Sequence, residues 1–350
     1  MGKKYDVVAL GELLVDFTES GVSEQGNTLL EANPGGAPCN VLAMLNKLGF
    51  KTAFIGKVGD DMFGHMLKER AKEAGIDMRG LIESPKYQTT LAFVATAPNG
   101  DRDFSFYRRQ GADVMIDVAE IDENDKLIRN SKVFHFGTLS MTDEVGEAAT
   151  RRAMAIAKDA GCLISFDPNY RAPLWRSEEY AKEKIAWGLE QCDVLKISDN
   201  EITLMTGEKD YAAGAKILQE KYDIPLVFAT LGPDGSMAFI NGLQVEVKGF
   251  INENTIETTG AGDTFCACAI GYILRMAEVE GAIAEGSGEL VEDSREWNRD
   301  AAFKGLDKYH LEDLLTYANA AASIITTRKG ALSVMPSRDE ISKFIVDNVK

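Results

Sequence analysis

Glu257-Thr258-Thr259-Gly260-Ala261-Gly262-Asp263-Thr264-Phe265 places a carboxylate just past two glycines, and the small apolar run Cys266 to Tyr272 follows. That order predicts a glycine-rich turn opening a buried helix. Gly260 and Gly262 carry no Cβ, so the backbone there can bend tightly and approach a ligand. The first N–H groups of a helix have no intrahelical partner and make an anion site. Asp263 lies in that first turn, where the helix dipole favours its ionised form. Two chemistries fit. In one, Thr259 or Asp263 caps a helix and the glycines make an ordinary turn. In the other, the amides of Gly260, Ala261, Gly262 and Asp263 hold a phosphoryl oxygen while Asp263 takes a proton from an attacking hydroxyl. Phosphoryl transfer needs both: fixed dipoles where charge develops and a placed acceptor for the nucleophile's proton.

The rest of the chain decides between them. Apolar runs at Tyr5–Leu10, Thr52–Ile55, Lys132–Phe136, Cys162–Phe166, Asp193–Lys196 and Leu226–Ala229 read as buried strands. Helical patterns alternate with them, among others Asn40–Leu48, Met62–Ala74, Asp143–Ala160, Ser177–Glu190 and Tyr211–Lys221. Such repeats predict a mostly parallel sheet covered by helices on both faces, with ligands beyond the carboxyl ends of the strands. Asp167, Asn169, Arg171, Ser198, Glu201, Gly232 and Asp263 all fall just after expected strands or at loop–helix junctions. Polar residues gathering on one edge exceed what capping requires, which favours a site. Segments 13–17 and 28–32 and the 89–96/101–108 pair, with a Pro98–Asp101 turn, lack helical crossovers. They predict a small separate sheet, a lid formed by about 13–34 and 88–111. A second hairpin is expected around Asn241-Gly242. Asn33–Pro38 reads as a turn, and residues 278–310 as a polar, solvated insertion. One domain spans 1–350.

Composition narrows the partners. The chain has 55 acidic and 38 basic residues, a formal charge of −17. That balance argues against nucleic acid and anionic membranes, which call for basic surfaces. Five cysteines at scattered positions in a chain of 350 residues fit a reducing, cytoplasmic setting. The first apolar run is too short for the core of a signal peptide.

With these residues in view, the chain resembles the ribokinase-like (PfkB) family of sugar kinases, most closely its fructokinases. Gly35-Gly36-Ala37-Pro38-Cys39-Asn40 with Ile55 to Gly64 is similar to the family's first signature, and Thr258 to Phe265 to its second. The resemblance covers nearly the whole chain. It implies an α/β fold, a three-layer α/β/α domain with a mostly parallel central sheet and a small β-sheet lid. It implies transfer of the ATP γ-phosphoryl group to a sugar hydroxyl, with Asp263 as base and the 260–263 helix N-terminus as anion hole. Glu201, in the Lys196-x-Ser198-x-x-Glu201 element, would position Mg2+ through water. Lys196, Ser198, Thr230, Leu231, Gly232, Gly235, Asn319 and Ser323 would serve ATP. Asp16, Gly35, Gly36, Asn40, Asn169 and Arg171, with Phe106 and Arg109 from the lid, would hold the sugar.

The phrases Ser105-Phe106-Tyr107-Arg108 with Gly111-Ala112-Asp113, and Asp167-Pro168-Asn169-Tyr170-Arg171 with Leu174-Trp175, are similar to those of fructokinases. They imply fructose as substrate, phosphorylated at its 6-hydroxyl. The resemblance also implies a monovalent cation, K+, beside the anion hole at Glu257 and Thr259, although relatives usually carry Asp where this chain has Glu257. A homodimer through the lid is expected as well. Two alternatives stay open. A kinase for an acidic sugar such as 2-keto-3-deoxygluconate would use the Arg108-Arg109 pair. A catalytically silent sugar-binding member would have lost the base or the glycines, and both are present.

Overall fold

The computed structural model describes residues 2–96, 102–284 and 297–348. Its strands, in chain order, are β1 (Tyr5–Leu10), β2 (Leu14–Val22), β3 (Thr28–Gly35), β4 (Thr52–Gly59), β5 (Asp77–Ser84), β6 (Leu91–Thr96) and β7 (Arg102–Tyr107). They continue with β8 (Ser131–Phe136), β9 (Leu163–Phe166), β10 (Val194–Ser198), β11 (Leu226–Thr230), β12 (Gly235–Ile240) and β13 (Leu243–Lys248).

The large sheet runs β13-β12-β11-β10-β9-β8-β1-β4-β5. Strands β11 to β5 along that order pair in parallel, and β12 and β13 add an antiparallel edge. Side chains on β1 alternate between two cores. Val7 and Ala9 join one, packed under helices Ala37–Lys47, Ala261–Ala284 and Lys308–Ile325. Val8 and Leu10 join the other, under Glu144–Asp159, Glu178–Gln191 and Tyr211–Tyr222. A sheet buried on both faces is why its parallel strands read as continuous apolar runs. The chain first builds β4 and β5 on one side of β1, then β8 to β13 on the other. The order therefore reverses between β1 and β8, the place where such sheets leave a crevice.

The lid is a four-stranded sheet in the order β3-β2-β6-β7. Phe17 stacks on Phe93 with ring centroids 5.0 Å apart, and Phe63 of the main domain meets Phe17 edge-on at 5.6 Å. These rings seat the lid on the helix Met62–Glu73.

Several elements differ from the sequence reading. The turn expected over Asn33–Pro38 contracts to Gly36, because β3 runs to Gly35 and the next helix begins at Ala37 with Pro38 in its first turn. Strand β5 is an addition to that reading, since its residues carry no strong alternation. Lys57 lies in β4, buried, with its ammonium on Met115 O (2.9 Å) and Glu120 (2.6 Å). Residues from 278 are not all insertion. The helix starting at Ala261 continues to Ala284, and Ala301, Ala302 and Leu306 are buried core residues. The Pro98–Asp101 turn and residues 285–296 lie outside the described residues. The 241–242 hairpin forms with positive φ at both central residues, 49° and 78°, the geometry a two-residue turn requires.

Candidate active site

Four strand ends and one helix start lie along one edge of the large sheet. Glu12 follows β1, Asp167 follows β9, Ser198 closes β10, Thr230 closes β11, and Asp263 opens the helix Ala261–Ala284. In that helix's first turn, Thr264 N–H donates to Gly260 O (2.8 Å) and Ala261 N–H to Thr258 O (3.2 Å). Gly262 and Asp263 contribute the remaining first-turn amides.

Asp263 is 8% exposed, and its Oδ2 accepts a hydrogen bond from Asn40 Nδ2 at 2.8 Å. Burial pushes its carboxyl up to about 6; the Asn40 bond opposes this, Asp167 adds to it, and Lys196 and Arg171 pull it down. A carboxylate poised near neutrality suits proton abstraction at physiological pH.

Beneath the glycine turn lies a buried cation. Lys196 Nζ is 3.0 Å from Asp167 Oδ2, and both residues are buried. Burial disfavours the charged Lys196, but Asp167 and Glu201 outweigh it and raise its pKa. A methyl group placed on Gly262 would sit 3.0 Å from this ammonium, so Lys196 presses directly against the turn. Glu201 is buried too. Its Oε1 accepts Tyr170 N–H (2.8 Å), and its Oε2 accepts the Ser198 N–H and hydroxyl (both 2.9 Å), the former as part of a capping box.

The expected sugar residues gather on the lid side. Asp16 leaves β2 half-buried and faces Gly35, where any Cβ would strike its Oδ2. Burial pushes Asp16 up to about 7, while Arg171 lowers it and Glu257 and Asp263 raise it. Asp16, Arg171, Glu257 and Asp263 therefore lie close enough to influence one another's charge. Gly36 has φ 126° and abuts Glu12 O, so a side chain is excluded there twice over. Asn169 is buried with φ 50°, held through its N–H to Asp167 Oδ1 (3.2 Å). Arg171 is exposed, as is Arg109. Phe106 is half-buried on β7.

Of the residues expected to serve ATP, Thr230, Leu231, Gly232 and Gly235 form the loop joining β11 to β12. The Asn319 amide is fully engaged: Oδ1 accepts Ser236 Oγ (2.8 Å) and Nδ2 reaches Val247 O (3.2 Å). It fixes the wall against β12 and β13. Nearby Ser323 Oγ is buried without a partner among the described residues. Glu257 Oε1 accepts Gly330 N–H (2.8 Å), and the Ile256 and Glu257 N–H groups donate to Thr326 O, tying the glycine turn to the 326–330 loop.

Two site-shaping residues escaped the sequence reading. Glu12 is buried, and its Oε1 accepts Ala37 N–H (2.9 Å), which fixes the glycine loop. Its carboxyl is pushed up to about 7, chiefly by burial. Asp113 holds Arg108: Nε donates to Asp113 Oδ2 (2.7 Å), Nη1 to Thr142 Oγ1 (3.0 Å) and Nη2 to Leu139 O (2.8 Å). An Arg and an Asp five residues apart in the sequence were the available signal. His135 is buried against Ser165 Oγ (3.0 Å), and burial holds it neutral with a pKa lowered to about 3.

The chain is similar to known proteins over nearly its whole length. The model of the pfkB family carbohydrate kinases matches residues 4–291. "Probable fructokinase-3" of Arabidopsis thaliana is 35% identical over 351 residues, covering 100% of this chain and 94% of that protein. A fructokinase from Xylella fastidiosa with bound ATP superposes with a TM-score of 0.83 at 27% identity, covering 99% of both chains. A fructokinase from Vibrio cholerae O395 in its fructose-, ADP- and calcium-bound form does so at 0.77 and 26%, covering 97% of this chain and 99% of that one.

Proposed function

The chain belongs to the pfkB family of carbohydrate kinases, and within it we propose that it transfers the γ-phosphoryl group of ATP to the 6-hydroxyl of D-fructose. The products are fructose 6-phosphate and ADP. The observation that carries this reading is Asp263: a buried carboxylate, raised to about 6, in the first turn of a helix opened by Gly260 and Gly262. The sugar hydroxyl gives its proton to Asp263 and its oxygen bonds to the γ-phosphorus as the bond to ADP breaks. The amides of Gly260 to Asp263, with Lys196 beneath them, receive the charge on the transferring group.

Asp16, Gly35, Gly36, Asn40, Asn169 and Arg171, with Phe106 and Arg109, hold the sugar. Thr230, Leu231, Gly232, Gly235 and Ser323 line the ATP side, and Asn319 braces it. Glu201 fits a Mg2+ role through water. Both of its oxygens are oriented by donors, and Mg2+ commonly keeps its waters and binds few carboxylates beside substrate phosphates. A Mg2+ ion held through Glu201 would supply positive charge to offset the nucleotide's phosphates. A K+ ion beside Glu257 and Thr259 would share the Glu257 carboxylate with the Gly330 amide.

A neutral sugar is favoured over an acidic one because Arg108 has every nitrogen engaged. Arg108 is therefore closed to a sugar carboxylate, which leaves it only the exposed Arg109 and Arg171. In ATP-coupled assays, kcat/KM for fructose is expected to exceed that for 2-keto-3-deoxygluconate by about 100-fold. A preference for the acid would reverse the assignment of substrate and leave the kinase chemistry in place.

The lid exposes Val22 (69%), Leu29, Leu30 and Tyr107 (70%) on a sheet with open edges. Such surface is normally covered, and a homodimer through the lid is the arrangement we assign. Light scattering should give twice the 38.2 kDa chain mass; the single-chain mass at all working concentrations would refute it. The acidic surface and scattered buried cysteines support a cytoplasmic protein without nucleic-acid or membrane partners. No helix among the described residues is long and apolar enough to cross a membrane.

A further inference from the structure

We propose that Asn40 is a positioning residue for the Asp263 carboxylate, and that its amide links this base to the bound sugar. Asn40 lies in the first turns of the helix Ala37–Lys47, 223 residues from Asp263 in sequence. It is 3% exposed. Its own N–H donates to Gly36 O at 3.0 Å, so the glycine loop that faces Asp16 also sets its backbone.

The side chain has one way to face a carboxylate. An ionised carboxylate only accepts, so the NH2 end must turn to Asp263 and the carbonyl must turn away. The structure has this arrangement: Nδ2 donates to Asp263 Oδ2 at 2.8 Å, and Asn40 Oδ1 is buried without a partner among the described residues. A buried orphan acceptor calls for a donor. A sugar seated on Gly35 and Gly36 supplies hydroxyl donors at this place. One hydroxyl bonded to Oδ1 pins the amide, and the amide pins Oδ2. Asp263 Oδ1 is then left to accept the proton of the attacking hydroxyl.

The same contact sets when the base is ionised. Asp263 faces Asp167, Lys196, Arg171, Asp16 and Cys266. Asp16 and Asp167 favour its protonated form, and Lys196 and Arg171 the ionised one. Asn40 is the neutral group in this set that donates to it directly. Without that bond, burial and the two neighbouring carboxylates prevail and the base protonates at higher pH.

The inference rests on the kinase reading above. Its test is the pH dependence of kcat and kcat/KM for sugar at saturating ATP, for wild type, Asn40→Ala and Asn40→Asp. In Asn40→Ala the acid limb of kcat should move up by about 1 pH unit, separately from any rise in KM for sugar. Asn40→Asp keeps the side-chain volume, sets a second carboxylate against Asp263, and should move the limb up by about 2 units. A side chain that only contacts sugar would raise KM at every pH and leave the limb in place. Acid limbs of both variants coinciding with that of wild type would overturn the proposal. Wild-type turnover in the same assay reports on the proposed function, and the displacement between proteins reports on Asn40, so either can fail alone.

Discussion

Asp263→Asn lowers kcat by about 10^2- to 10^4-fold while ATP affinity stays within about twofold. The amide has the shape of the carboxylate and can still sit beside Asn40, but it cannot take a proton. The nucleotide contacts assigned above come from other residues, so binding should persist. The wild-type pH profile carries the same prediction with a definite sign. The base works ionised, so turnover is retained above the Asp263 pKa of about 6 and lost as pH falls through it. In the Asp263→Asn protein the residual rate should lack that limb. Steady-state kinetics with calorimetric ATP binding checks both halves, and activity within a few-fold of wild type would remove Asp263 from the role of base.

Lys196→Met is the second large effect, and it appears in stability. The ammonium is buried 3.0 Å from Asp167, which has no exposed surface. Removing one member of a buried ion pair strands the other charge and costs about 3–5 kcal/mol, a large part of the roughly 5–15 kcal/mol typical of a folded domain. Urea unfolding measures it. The double variant Lys196→Met/Asp167→Asn should recover much of the loss, because no charge is then stranded. A loss below about 1 kcal/mol in the single variant would show that the pair is well hydrated. The double variant should still turn over slowly, since the cation beneath Gly262 is gone from the anion hole.

The layers and the edge that holds the candidate site were readable because both depend on local signals. Apolar runs marked the parallel strands, and the polar residues after them fall together at the strand ends. Strand β5 escaped because it lies at the edge of the sheet and mixes Asp77 and Arg79 with apolar residues. The start of the helix at Ala37 was hidden because the Asn-Pro-Gly-Gly run looks like a turn. Only the structure shows Glu12 fixing Ala37 from below. The roles of Asn40, Lys196 and Asp113 were the least legible. Asn40 and Asp263 come together from distant parts of the chain. The state of Arg108, free for a substrate or locked by Asp113, is a matter of hydrogen-bond geometry that residue types alone do not encode.

The central claim, transfer from ATP to a neutral hexose, is tested most directly by phosphorus NMR of one mixture holding the protein, ATP, Mg2+ and fructose. The account predicts that the γ-phosphate signal is replaced by ADP and one sugar monoester, coupled to the two protons on carbon 6 of fructose. ADP with inorganic phosphate alone, a monoester on another carbon, or unchanged ATP would contradict it.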